Sequence, residues 1–191
     1  MTTVSWSQGQ WLNPPVATEE RNGSLLVTSA EGSDFWRKTS YGFIHESGHA
    51  LLYDFLNEKA VEISFLVNYD FQFDQAGLMI WHDNANYIKA GVEFADGKPQ
   101  LGAVVTIENS DWSVAPVESW MGKVVTVRAS RSGDALTIRA KCDGDWQFVR
   151  VAPLDPAKKW RVGPLVSSTN RGGLVVEFKS ISFTESDSSL H

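Results

Sequence analysis

Residues 75–106 read QAGLMIWHDNANYIKAGVEFADGKPQLGAVVT. Side-chain character alternates along this run with a period of two, the spacing of strands that bury one face. Asp96-Gly97 is a strong hairpin signal, because both residues of such a turn take positive φ. It pairs Glu93 with Gln100, Gly91 with Gly102, Lys89 with Val104 and Tyr87 with Thr106. A second turn at Asn84-Ala85-Asn86 pairs Asp83 with Tyr87, Trp81 with Lys89, Met79 with Gly91 and Gly77 with Glu93. One face of the resulting three strands is a core face, running from Leu78, Ile80 and His82 through Ile88, Ala90, Val92 and Phe94 to Leu101, Ala103 and Val105.

The other face is unusual for one turned to solvent. It places Gly77, Gly91 and Gly102 in strand interiors, where glycine costs packing and entropy and often marks the close approach of a ligand. Around them stand Met79, Trp81, Tyr87, Lys89, Glu93, Gln100, Val104 and Thr106. Trp81 as a stacking platform, Lys89, Glu93 and Gln100 as polar contacts and Tyr87 at the rim would make a shallow trough for a carbohydrate or another polar small molecule. In the competing arrangement a loop covers this face and Trp81 belongs to a second small core.

The same alternation continues outward, through Leu25 to Ser29, Val61 to Tyr69, Val124 to Ala129, Leu136 to Cys142, Phe148 to Val151, Leu165 to Ser168 and Leu174 to Phe183. Turn signals at Gly133-Asp134, Asp143-Gly144 and Gly172-Gly173 separate several of these segments. Roughly ten short strands at regular spacing predict an all-β, antiparallel two-sheet β-sandwich or jelly roll. The 191 residues suit one domain over 1–184. Residues 185–191 (ESDSSLH) are expected to fray as a polar tail, and Asp155 to Trp160 to form a single helical turn.

Composition removes several function classes. A net charge of −6 and scattered basic residues argue against a nucleic-acid surface. No apolar run reaches the roughly 20 residues of a membrane helix, and the first residues lack the layout of a secretion signal. The expected location is therefore the cytoplasm, in keeping with a lone cysteine, Cys142, read as a small buried apolar residue. Eight tryptophans exceed ordinary usage and would serve both a core and a sugar-stacking surface.

His45-Glu46-Ser47-Gly48-His49 spells HExxH, which binds zinc when a helix sets both imidazoles on one face and a third ligand approaches from elsewhere. Here Gly48 weakens such a helix, the third-ligand positions are Leu52 and Phe55, and Val61 onward alternates as a strand. The expectation is a hairpin turning at Ser47-Gly48, with Glu46 facing His49, Ile44 facing Leu51 and Phe43 facing Leu52, and no metal or other cofactor.

The central block, followed by SDWS at 110–113 and CDGDWQFVR at 142–150, resembles the domain-of-unknown-function 1349 family, which includes a regulation-of-enolase protein. That family is assigned to the concanavalin A-like lectin/glucanase superfamily. The closing RVGPLVSS and LVVEFKSISF segments are similar to the last strands of laminin-G-type sandwiches. The resemblance runs from Trp11 to Phe183 and implies a concanavalin A-like jelly roll with a concave face, without an established reaction. It adds Trp36, Tyr41, His49 and Trp112 as further ligand-binding candidates, since they stand in the blocks that carry it, and it makes the HExGHALL region a connection between strands. It also raises a regulatory module acting on a metabolic enzyme, as a monomer or homodimer. A glycoside hydrolase is the other alternative, yet the E-x-D-x-E pattern of sandwich-fold glucanases is absent. Glu93 and Asp83 would lie on the order of 20 Å apart along the strands, too far for a catalytic pair. No G-x-S-x-G supports serine chemistry, and the balance favours binding over catalysis.

Overall fold

The computed structural model describes residues 2–190. Seventeen strands run in the order β1 (Thr2–Thr3), β2 (Gln10–Leu12), β3 (Ala17–Arg21), β4 (Ser24–Thr28), β5 (Phe35–Arg37), β6 (Ile44–Glu46), β7 (His49–Phe55), β8 (Lys59–Leu66), β9 (Asp74–Asp83), β10 (Asn86–Ala95), β11 (Lys98–Ile107), β12 (Asn109–Pro116), β13 (Val124–Ser132), β14 (Ala135–Lys141), β15 (Gln147–Pro153), β16 (Trp160–Ser168) and β17 (Val175–Glu185). They build two large antiparallel sheets. One has the order β15-β14-β13-β8-β17-β4-β3, with β1 added on β17, and the other β12-β11-β10-β9-β16-β7-β2. The expected two-sheet sandwich is the observed one.

The alternating segments explain the interior. Val61, Ile63 and Phe65 of β8, Val127 of β13 and Phe178 and Ile181 of β17 share one buried cluster with Leu78, Ile80, Ile88, Val92 and Val162 of the opposing sheet. Each of these strands sends every second side chain inward, so burial alternates along it. Half-buried Cys142 packs against the same cluster.

The β10–β11 hairpin has the register that Asp96-Gly97 implies, Glu93 opposite Gln100 and Gly91 opposite Gly102. The β9–β10 register differs by two residues. Trp81 stands opposite Tyr87, Met79 opposite Lys89 and Gly77 opposite Gly91, with an irregularity at Asn86/Tyr87. Asp83 causes this by closing a tighter turn, its Oδ1 accepting from the Ala85 amide and from Asn86 Nδ2, each at 2.8 Å. A slip of two keeps every side chain on its face, so the faces are unchanged while Gly77, Gly91 and Gly102 become one row across three strands.

That row is not an open floor awaiting side chains. A Cβ on Gly91 would overlap the Ala76 carbonyl, one on Gly77 the Ala90 carbonyl, and one on Gly102 the Ser113 carbonyl. The glycines are required by how closely the neighbouring backbones nest.

The segment around HExxH is neither the helix nor the expected hairpin. β6 pairs with β5, Trp36 opposite His45 and Phe35 opposite Glu46, in a separate two-stranded sheet. β7 leaves for the large sheet, between β16 and β2. At Ser47-Gly48 the chain crosses from one sheet to the other instead of reversing, and both amides donate to the Asp34 carbonyl at 2.9 Å. Gly48 is needed because a Cβ there would strike the Phe35 ring.

Two smaller expectations are also corrected. Asp155 to Lys158 is a turn, with the Ala157 amide bonded to Asp155 Oδ1 at 2.9 Å, and β16 begins at Trp160. The described part of the polar tail, 185–190, is held, since Asp187 pairs with Arg128 at 2.7 Å and with Arg139, and Arg139 Nη2 also donates to the Leu190 carbonyl at 2.7 Å; His191 lies outside the described residues.

Candidate functional site

The β5–β6 hairpin lies across the outer face of the β12-to-β2 sheet. Phe35 plugs a second apolar cluster with Ala50, Leu52, Met79, Tyr87 and Leu165, against which Trp81 and Leu12 pack. Polar side chains tie the hairpin down. The Arg37 amide donates to Ser110 Oγ at 2.9 Å, Asn84 Nδ2 donates to Glu46 Oε2 at 2.7 Å, and Asn13 Nδ2 donates to the Glu46 carbonyl at 2.7 Å. The hairpin covers only half of the face. The other half opens into a pocket of about 350 Å³, within the range of small-molecule sites.

Its walls are aromatic. Trp36 meets Tyr41 edge-on at 5.7 Å and Trp112 at 6.5 Å and 90°, Tyr41 stacks on Phe43 at 5.2 Å, and Phe43 meets His45 at 4.6 Å. Trp36 is anchored by its indole N–H to the Thr39 carbonyl at 3.0 Å. Tyr41, Phe43 and Trp112 remain 59, 43 and 38% exposed, unlike the spent aromatic rings of the core. Phe73, Thr169 and Asn170 complete the rim opposite the hairpin.

The floor is ionic. Lys89 Nζ donates to Asp34 Oδ1 at 2.8 Å and to Gln75 Oε1 at 2.9 Å, and is almost wholly buried. Burial alone would discharge the ammonium, but the Asp34 and Glu93 carboxyls outweigh it and raise the lysine above its ordinary value. Glu93 lies four residues along β10, past Gly91, and its carboxyl makes no hydrogen bond among the described residues. Loss of water pushes its carboxyl up to about 7, opposed by Lys89 and reinforced by Asp34 and Asp96. Thr169 Oγ1, also in the lining, is buried without a partner. A protonatable acid, a free hydroxyl and a paired cation under an aromatic rim can hydrogen-bond a polar ligand while ring faces cover its apolar side.

Of the residues expected at a ligand site, Trp36, Tyr41, Lys89, Glu93 and Trp112 come together around this pocket. Four do not. Tyr87 is fully buried against Phe35, at 5.7 Å, and is no rim residue. Trp81 is half-buried on the second cluster, with the Arg161 guanidinium 4.7 Å above its ring; that cation occupies the place of a stacked ligand. Gln100 is buried and donates to the Ala95 carbonyl at 2.9 Å, bracing the hairpin turn. His49 is buried, with Nδ1–H donating to the Asn13 carbonyl at 2.8 Å and Nε2 accepting from the Ala30 amide at 3.0 Å.

One half of the face is therefore covered, by a hairpin where a loop was expected, and the other half opens into the pocket. Asp34, Phe43, His45, Phe73, Thr169 and Asn170 were missed. One signal was available, since Phe43 and His45 alternate with Ile44 and so share a side of the segment that runs into β6.

Metal chemistry finds no support in this geometry. The two histidines of HExxH stand on different sheets, and both ring nitrogens of His49 are committed to backbone. No cluster of three or more His, Cys, Asp or Glu suited to a metal occurs among the described residues.

The fold and the site define the class as a two-sheet antiparallel β-sandwich, with a hairpin over part of one outer face and an aromatic-walled pocket beside it. Residues 11–186 match the family described as Protein of unknown function (DUF1349), and the chain belongs to that family. It is similar to Regulation of enolase protein 1 of Saccharomyces cerevisiae, 35% identical over 93% of this chain and 90% of that protein. It is also similar to the crystal structure of a functionally unknown protein from Saccharomyces cerevisiae, with a TM-score of 0.89 at 34% identity over 95% of this chain and 98% of that one. The xylan beta-1,4-xylosidase of Bacillus halodurans C-125 matches with a TM-score of 0.66 at 20% identity, over 87% of this chain but 34% of that enzyme. At that identity the likeness concerns the sandwich fold alone.

Proposed function

We propose that the chain binds a saccharide or sugar-derived small molecule in the pocket between the β5–β6 hairpin and the β10–β12 strands. The observation that carries this is the composition of the pocket, in which exposed aromatic side chains rise over Glu93 and Thr169, polar groups without partners. Trp36 and Trp112 offer ring surface, Glu93 and Thr169 offer hydrogen bonds, and Lys89 with Asp34 fixes the floor. Binding is favoured over hydrolysis because Asp34 is engaged structurally, accepting from the Phe35 amide at 2.7 Å as well as from Lys89.

A glycan array with the purified full chain, followed by titration of any hit into Trp112→Ala, tests this. Binding lost with Trp112 supports the pocket. Binding that survives in Trp112→Ala, or no binding to any glycan, removes the proposal. The yeast relative's name brings regulation of a metabolic enzyme, which a cytoplasmic ligand-binding module of this size could serve. Capture of enolase by the immobilised chain, with and without a hit from the array, is the corresponding measurement.

A further inference from the structure

The charges of the pocket narrow what it can take. Its lining contains one side-chain cation, Lys89, and two carboxyl groups, Asp34 and Glu93, besides His45 and Tyr41. Lys89 is already matched by Asp34 and held by Gln75. Arg171, on the same side of the fold, is committed to Asp74 and packs over the Phe71 ring at 5.5 Å. A phosphate or carboxylate entering the pocket would find Lys89 already paired and two carboxyls in a poorly hydrated space, where like charges repel strongly. A hydroxyl-bearing neutral ring meets no such obstacle.

We infer that the pocket takes an uncharged polyhydroxylated ring, a neutral sugar and not a sugar phosphate or sugar acid, with Glu93 donating a hydrogen bond to one of its hydroxyls. This rests on the proposed binding function and adds the ligand's charge class and the residue that reads it. Glu93 lines the pocket with no hydrogen bond to its carboxyl, and the Thr169 hydroxyl in the same lining is buried without a partner.

The groups that set the Glu93 proton come from every side. Lys89 lies on the same strand, Asp34 precedes β5 and Asp96 sits in the β10–β11 turn; His45, on β6, is the other titratable ring of the lining besides Tyr41 and is not among the groups that shift Glu93. With the carboxyl at about 7, roughly nine-tenths of the free protein is donor-competent at pH 6 and one-tenth at pH 8. Apparent affinity scales with the competent fraction, so it should fall about tenfold over that interval.

The test is calorimetric titration of the full chain at pH 6 and pH 8 with glucose, galactose and xylose, and with glucose 6-phosphate and glucuronate. Indole N–H shifts of Trp36 and Trp112 serve as a parallel readout. A neutral sugar should bind about tenfold more tightly at pH 6 than at pH 8, and more tightly than either anion. Glu93→Gln keeps a donor N–H but cannot ionise, so its affinity should be the same at both pH values. An anionic sugar that binds as well as its neutral counterpart, or neutral-sugar binding in the wild type that ignores pH, overturns the inference while leaving a ligand pocket in place. Undisturbed indole signals with all five probes would overturn both the inference and the binding function beneath it.

Discussion

Replacing Glu93 with glutamine should stabilise the protein, by an amount that grows with pH. In the fold the carboxyl is stripped of water, and Lys89 compensates only in part against Asp34 and Asp96, so it titrates at about 7 where an ordinary glutamate titrates at 4.5. The folded chain therefore holds this proton more tightly than the unfolded chain does. Stability from this source is complete below pH 4.5 and is lost as pH rises through 7. The full loss is about 3 kcal/mol, most of which falls between pH 5 and pH 8. Glutamine fills nearly the same volume and never ionises, so its stability lacks this slope. Urea unfolding of both proteins at pH 5, 6, 7 and 8, analysed as a two-state transition, should show the gap in favour of Glu93→Gln widening by about 2–3 kcal/mol. Two stability curves that stay parallel over this range would mean that the carboxyl is hydrated and the pocket floor is wet.

Gly91→Ala should be severely destabilised, by more than about 4 kcal/mol, because the added methyl group meets the Ala76 carbonyl; a wild-type melting temperature would refute the nesting of the glycine row. Trp81→Ala should lose about 2–4 kcal/mol of stability and keep whatever ligand the pocket binds, whereas Trp112→Ala should melt close to wild type and lose the ligand. Thermal unfolding and titration of both variants check this, and the reverse outcome would return the site to Trp81. His49→Ala, which orphans the Asn13 carbonyl and the Ala30 amide, should cost about 1–3 kcal/mol. Elemental analysis after zinc exposure should find well below one equivalent in the wild type, and stoichiometric zinc would reverse the assignment of both histidines.

Where a strand buries one face against the other sheet, its alternation could be read directly, and β8, β10, β11, β13, β14 and β17 were visible this way. β12 was not, because NSDWSVAP is an edge strand with most residues exposed, so no face is marked by hydrophobicity. The β10–β11 register followed from the demands of one turn. The β9–β10 register did not, since it depends on Asp83 capping its own turn. The site divided along a similar line. Lys89 and Glu93 were legible as polar groups on a strand, and Gly77, Gly91 and Gly102 as an anomaly whose cause is backbone nesting and not a ligand. What decided the fate of Trp81 and Tyr87 was the placement of Phe35, a residue more than 40 positions earlier in the chain. No local pattern in either segment announces that meeting, and Ser47-Gly48, a plausible reversal by its chemistry, is a crossing because the Asp34 carbonyl receives both of its amides.

The β5–β6 hairpin pairs with no strand of either large sheet and is fastened to the sandwich by Phe35 and by side-chain hydrogen bonds. In a native-state hydrogen-exchange experiment such a unit exchanges by its own local opening, at a lower free energy than the sandwich beneath it. It carries Trp36 and His45 and borders Tyr41 and Phe43, so half of the pocket wall belongs to this unit and half to the sheet. For a ligand of the proposed kind, residence time would depend in part on the hairpin's opening equilibrium, while the melting temperature reports on the sandwich. A substitution at Arg37 or Asn84, remote from any ligand contact, would alter residence time without changing which ligand is chosen.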